Sequence, residues 1–294
     1  MGPRARTLLL DGPGYPAALR RLSSPPARLH VDGSLDGLER AVGIVGTRRA
    51  TPAALELAHE MGEALAAAGW VVVSGGAEGI DRAAHEGALA ARSGRTVAVL
   101  PTALDQPYPP SHAPLFSRIA TRGARLSEHA ERGPIYRAHF LERNRIIAAL
   151  SRVVVVVQAP ARSGALRTAL DARQLGLPVL SVPWSPREPL AEGGVALLVD
   201  GARACRHADD VLRVLGDERP TPARKPSRAH APRDPDEQAV LAALGHEATS
   251  RDAVLGASGL PAARAQAALL HLLLEGQITE DAQGLHRVTR RPRR

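Results

Sequence analysis

A chain of 294 residues with 44% hydrophobic content has enough apolar material for one sizeable α/β domain and a small appendage. Aromatics at 2% exclude a base-stacking sheet of the kind RNA-recognition and oligonucleotide-barrel folds use, and a single cysteine, Cys205, excludes an internal disulfide and a cysteine metal cluster. The net charge of +8 points to anionic partners.

In chain order, residues 1–40 read as an N-terminal extension packing on the main domain. Arg4 and Arg6 precede only Leu8–Leu10 before Asp11, too short a run for a secretory signal. The longest aliphatic run, Val153–Val157, falls far short of a membrane span. The expectation is therefore a cytoplasmic chain with no membrane partner. From 41 to 215 short apolar runs alternate with helix-period segments. The spacing predicts strands at Ala41–Val45, Trp70–Val73, Thr96–Leu100, Ala124–Leu126, Val153–Val157 and Pro178–Val182. It predicts helices from about Pro52 to Gly69 and Gly79 to Ala91, and around Ser111–Ala120, Phe140–Leu150 and Ala165–Leu175. Such alternation predicts a doubly wound, mostly parallel α/β sheet with helices on both faces.

Residues 216–235, GDERPTPARKPSRAHAPRDP, carry five prolines and no large apolar residue, as an extended linker does. Beyond it, Asp236–Leu244, Ser250–Ala257 and Pro261–Leu274 read as three short helices and Gly276–Val288 as a hairpin. That order predicts a small winged-helix domain over 236–288, followed by a basic tail at 289–294.

The charge is unevenly spread. Arg118–Arg173 holds 11 Arg against Glu128, Glu131, Glu142 and Asp171, a net of +7, so this segment reads as an anion footprint. In a parallel sheet, ligands bind beyond the carboxyl ends of the strands. There the sequence offers Gly46-Thr47-Arg48-Arg49, then Ser74-Gly75-Gly76-Ala77-Glu78-Gly79, then Ser163-Gly164 at the mouth of a helix. One Gly-rich turn is more often a tight connection than a site. Three at corresponding strand ends favour phosphate binding by backbone N–H groups, hydroxyls and helix N-termini. No GxxxxGK[ST] or GxGxxG is present, which argues against P-loop hydrolysis and dinucleotide binding.

The segments GIVGTRRATP, VVVSGGAEGIDRAAHEGAL, TVAVLPTALDQPYPPSH, RLSEH, HFLERNRIIAALSRVVVVVQA and SGALRTALDA resemble, in order and spacing, the motifs of the DprA/Smf family. The likeness runs from about Val42 to Val182, with a family-like lead-in before it. It implies an extended Rossmann domain that forms homodimers, binds and protects single-stranded DNA, and helps load RecA recombinase in DNA uptake and natural transformation. It implies no cofactor, metal or catalytic residue. Carried over, the phosphate pocket takes Gly46, Thr47, Arg48 and Arg49 from the first turn and Ser74 with Gly75 from the second. Arg137, Phe140, Arg143, Asn144 and Arg145 come from the RNRII helix and its lead-in, and Ser163 with Gly164 from the later turn.

Several of these positions have a second reading. Asn144 either meets the ligand or satisfies a buried backbone group, and Phe140 either touches a base or fills core. Arg143 and Arg145 leave their helix in different directions, so one of the two can face solvent. Asp81 and His85 share a helix face and read as a structural brace before an acid–base dyad. The chain also departs from the family pattern: Glu78 stands for an arginine, Trp184 for a glycine, and EGGVALLVDGA for an asparagine-bearing segment.

Two rivals stand beside a binding protein. One is a nucleoside-monophosphate phosphoribohydrolase-like enzyme, which needs a carboxylate base after a Gly-rich turn, where this chain has Ser163–Thr168 with no acid. The other is a nucleotide-sensing module using the same pocket. The winged-helix stretch Asp236–His286 has only Arg251 and Arg264 against seven acids, a net of −5, which predicts a protein-contact or regulatory element.

Overall fold

The structure, a computed structural model, describes residues 5–217, 234–244, 250–274, 278–281 and 284–287. All but two residues at either end of the expected linker, and the whole basic tail, lie outside the described residues. The chain divides into two compact units, Met1–Arg219 and Pro220–Arg294.

The first unit runs β1 (Arg6–Leu9), β2 (Arg28–Gly33), β3 (Ala41–Val45), α1 (Pro52–Ala67), β4 (Val71–Ser74), α2 (Ile80–Ala90) and β5 (Arg95–Val99). It continues with α3 (Ala113–Arg122), β6 (Ala124–Ser127), α4 (Arg137–Leu150), β7 (Val153–Val156), α5 (Gly164–Gln174) and β8 (Val179–Ser181). It closes with α6 (Glu192–Val199), β9 (Arg203–Ala204) and α7 (Ala208–Val214). One sheet takes the order β1-β2-β6-β5-β4-β3-β7-β8-β9, parallel from β6 to β9.

The central strands are buried throughout, as a sheet covered on both faces requires. Period-two alternation then divides the core. Val42, Ile44, Val72, Val153 and Val155 cluster with Ala54, Ala58, Met61 and Leu65 of α1 and with α2. Ala41, Val45, Val71, Val73, Val154 and Val156 cluster with Ile146 and Ile147 of α4 and with Ala165, Ala169 and Ala172 of α5. Helix α1 begins where it does because Thr51 Oγ1 accepts the Ala54 N–H at 3.3 Å and Pro52 supplies a pre-set φ at its first position.

Three features depart from the local sequence pattern. The extension forms two strands, with β2 antiparallel to both β1 and β6, so it continues the sheet. Its local pattern is weak, and the partner that makes it a strand, Ala124–Ser127, lies some ninety residues away, with Arg125 paired to Asp32 across the ladder. Helix α4 starts at Arg137, a turn before the predicted Phe140, and Tyr136 at its N-cap makes no side-chain cap that would mark the boundary in the sequence. Elements α6, β9 and α7 follow the last predicted strand. Among the described residues no helix is long and apolar enough to cross a membrane.

The second unit has α8 (Pro235–Ala243), α9 (Arg251–Ala257), α10 (Ala262–Leu274) and an antiparallel hairpin, β10 (Ile278–Asp281) and β11 (Gly284–Arg287). Val240, Leu241, Val254, Leu269, Leu272, Ile278 and Leu285 form its own core, so three helices and a hairpin close as the sequence order predicts.

Candidate nucleic-acid interface

The strand order reverses between β3 and β7, and their neighbouring carboxyl ends leave the crevice where parallel sheets hold ligands. A cavity of about 780 Å³ opens there. The turn after β3 gives it Gly46, Thr47, Arg48 and Arg49, the turn after β7 gives Pro160, Arg162 and Ser163, and α4 forms a third wall.

Hydrogen bonds hold the two turns and leave their arginine side chains free. Thr47 N–H donates to the Gln158 carbonyl at 2.7 Å, and Thr47 Oγ1 accepts the Arg49 N–H at 3.2 Å, which folds the turn back and sends both arginine side chains outward. Gly46 is a packing requirement, since a Cβ would press on Ile80 and the Gln158 carbonyl. Ser163 caps α5, its hydroxyl accepting the Ala165 N–H at 3.3 Å, so the positive end of that helix faces the cavity through Gly164, Ala165 and Thr168. The Arg48 guanidinium lies 4.8 Å over the Phe140 ring, which meets Tyr108 edge-on at 5.4 Å.

The charge balance is one-sided. Arg48, Arg49, Arg137 and Arg162 are exposed at the cavity, and none has an ion-pair partner among the described residues. Asp81 is the one carboxylate among the described lining residues. It is buried, and its Oδ2 accepts the N–H groups of Gly75 and Ala77. Four uncompensated guanidinium groups and a helix N-terminus around one opening make a site for a polyanion.

The family described as DNA recombination-mediator protein A matches residues 6–216, and the DprA winged helix domain matches residues 224–284. The chain belongs to the DNA recombination-mediator protein A family. Protein Smf of Synechocystis sp. is 36% identical over 307 residues, 92% of this chain and 77% of its own length. DNA processing protein DprA of Bacillus subtilis is 36% identical over 71% of each chain. The X-ray structure of DNA processing protein A from Streptococcus pneumoniae superposes with a TM-score of 0.67 at 33% identity, covering 71% of this chain and 74% of that one. The Helicobacter pylori protein, described for its unique single-stranded DNA binding mode, gives 0.65 at 32% identity over 73% of this chain and 98% of its own.

Ten of the thirteen predicted site residues line the cavity: Gly46, Thr47, Arg48, Arg49, Arg137, Phe140, Arg143, Asn144, Ser163 and Gly164. Three do not. Ser74 is fully buried, its hydroxyl donating to the Ile44 carbonyl at 2.6 Å. Gly75 gives its N–H to Asp81, and its α-carbon lies so close to the Arg143 guanidinium that a Cβ would collide with it. Arg145 leaves α4 on another side, where Nη2 pairs with Glu128 at 2.7 Å.

Arg143 and Asn144 line the cavity as parts of its frame. Arg143 is 6% exposed and donates to the carbonyls of Gly75, at 2.6 Å, and Val99, tying α4 to the ends of β4 and β5. Burial lowers its pKa to about 10, with Asp81 opposing and Arg48 reinforcing the shift, so it stays charged at neutral pH. Asn144 accepts from Arg143 Nε at 3.2 Å and donates to the Gly164 carbonyl at 3.0 Å, which sets the mouth of α5. The buried-backbone role open for Asn144 in the sequence is thus present, on the floor of the site.

The basic segment is spent mostly on the fold. Arg125, Arg132, Arg145 and Arg167 sit in ion pairs, Arg122 and Arg173 hold carbonyls, and Arg143 is buried. Only Arg137 and Arg162 among its exposed arginines reach the cavity. Arg162 and Tyr108 were present in the sequence, in a basic segment and a YPP run, but no spacing rule brings either to β3. Of the departures, Glu78 is exposed with no ion-pair partner among the described residues, and it does not line the cavity. The EGGVALLVDGA segment supplies α6.

Proposed function

We propose that this chain binds single-stranded DNA by its phosphates in the cavity beyond β3 and β7. The observation that carries it is the set Arg48, Arg49, Arg137 and Arg162, exposed around one opening without ion-pair partners among the described residues. Each free guanidinium offers a planar fork to a phosphate, and the N-terminus of α5 adds backbone donors. Half-buried Phe140, held between Arg48 and Tyr108, offers a ring to a base. The single-strand binding described for the Helicobacter pylori relative supports the same ligand.

Binding without turnover is favoured because the buried Asp81 carboxylate is already engaged, its Oδ2 accepting two backbone N–H groups, so it serves as a brace. Direct titration of a short oligonucleotide against AMP and GMP separates the classes. The proposal expects tight oligonucleotide binding and no measurable binding of either mononucleotide at matched salt. A nucleotide sensor gives the reverse order, and release of free base from AMP marks a phosphoribohydrolase.

Family membership supports the finer role of shielding the strand and loading RecA recombinase onto it as a homodimer. Nuclease protection of a bound oligonucleotide, faster RecA assembly upon it, and a dimer mass in sedimentation are the expected outcomes. Full nuclease sensitivity with unchanged RecA assembly would reduce the role to simple binding.

A further inference from the structure

The chain has seven aromatic residues, two Trp, three Tyr and two Phe. Tyr15, Trp70 and Phe116 are buried. The other four reach solvent at the carboxyl-end side of the sheet: Tyr108 and Phe140 line the cavity, Tyr136 stands between its lining residues Ile135 and Arg137, and Trp184 follows β8. An aromatic-poor chain has thus put every accessible ring around one edge.

Phe140 stands on α4, which packs on one face of the sheet, whereas Trp184 packs against the cluster on the other face. Its Nε1–H donates to the Val157 carbonyl at 2.6 Å. The next residue, Gln158, accepts the Thr47 N–H with its carbonyl at 2.7 Å and the Thr51 N–H with its side chain at 2.9 Å, so it clasps both ends of that turn. The indole also packs against the hydrophobic cluster on the α1 face of the sheet. The ring is therefore anchored along one edge, half-buried, on the strand end that clasps the Arg48–Arg49 turn. A rigid, amphipathic ring next to a phosphate-binding turn is a platform for an unpaired base.

We propose that Trp184 stacks on a nucleobase of the bound strand and extends the interface past Arg49 to a second base site. The proposal rests on the single-stranded DNA reading above. A strand held by its phosphates on Arg48 and Arg49 presents bases to both sides of the turn, to Phe140 on one and to Trp184 on the other.

The test follows a labelled oligothymidine by anisotropy and the protein by tryptophan emission in one titration, on the full chain. Trp70 precedes β4 at the far end of the sheet, buried with its Nε1–H on Asp217, and serves as a silent reference. Saturation is expected to quench the emission. Trp184→Ala is expected to weaken oligothymidine binding about tenfold while leaving a base-free deoxyribose-phosphate strand unaffected, and Trp184→Phe, which keeps a ring, to stay within about threefold of the parent. Binding without quenching overturns the inference, as does an equal loss on base-bearing and base-free strands, which marks a merely structural ring. Absence of any anisotropy change overturns the DNA reading itself, and the inference with it.

Discussion

At the scale of single residues, the cavity separates groups that frame it from groups free to bind. Arg143→Ala strips two buried backbone carbonyls of their donor, a loss of about 2–4 kcal/mol in stability. Arg48→Ala removes an exposed side chain and should change the melting temperature little while weakening DNA binding. Thermal denaturation of both variants checks the distinction, and equal melting temperatures would contradict it. Glu78 is an exposed carboxylate after β4, without an ion-pair partner among the described residues. Glu78→Arg should therefore tighten binding at low salt, an effect that fades as salt rises. Weaker binding in that variant would mean that Glu78 orients one of the pocket arginines.

His85 carries an acid-sensitive term of its own. Thr96 Oγ1 donates to the Val72 carbonyl at 2.7 Å, so it must accept from His85 Nδ1 at 2.7 Å, and the ring is the neutral Nδ1–H form with Nε2 buried and unpartnered. Burial, helped by Arg143 and His112, pushes its pKa down to about 3. The unfolded chain takes up this proton from about pH 6.5 downward and the folded chain does not. Stability is thus lost as pH falls from about 6.5 to about 3, by up to ~1.4 kcal/mol per unit. Denaturant unfolding across that range should show a steeper acid loss in the parent than in a folded His85→Gln variant, and identical pH profiles would contradict the assignment.

Among the elements, the winged-helix unit looks like a DNA reader and is charged like something else. Arg264 is held by Asp236 at 2.6 Å and Arg251 by Glu280 at 2.6 Å, so the two arginines of its helices are neutralised internally. The exposed residues of α10 include Ala263, Gln266, Ala267 and Leu270, and its two basic side chains, Arg264 and His271, are each paired with an acid of α8. A chain ending at Arg219 should therefore keep most of its single-strand affinity, measured by anisotropy, and a loss above tenfold would contradict this. The end point matters: Asp217 takes Arg40 at 2.5 Å and the Trp70 indole at 2.7 Å, so a cut at Gly216 would remove an anchor of the first unit. These elements also mark how far sequence could be read. Short apolar runs and period-3.6 patterns placed the central strands and their helices because both are legible locally. Strand β2 needs β6 to exist, and the ion pairs that consume Arg125, Arg132 and Arg145 join residues 17 to 93 apart, which no local pattern discloses.

At the scale of the whole molecule, the site lies at the reversal of strand order between β3 and β7, where the glycine and arginine turns were expected to meet. The surplus of positive charge gathered there is smaller than the basic segment suggests, and it is supplied by two arginines from the β3 turn as well as two from that segment. The central claim is that those four arginines hold phosphates. The most direct measurement is the salt dependence of oligothymidine affinity in the parent and in an Arg48→Ala, Arg162→Ala double variant. Each phosphate contact contributes about −0.7 to the slope of log K against log salt for a single strand. The double variant is expected to fold normally, bind at least about a hundredfold more weakly at low salt, and show a slope shallower by about 1.4. An unchanged affinity and slope in the folded double variant would contradict the account.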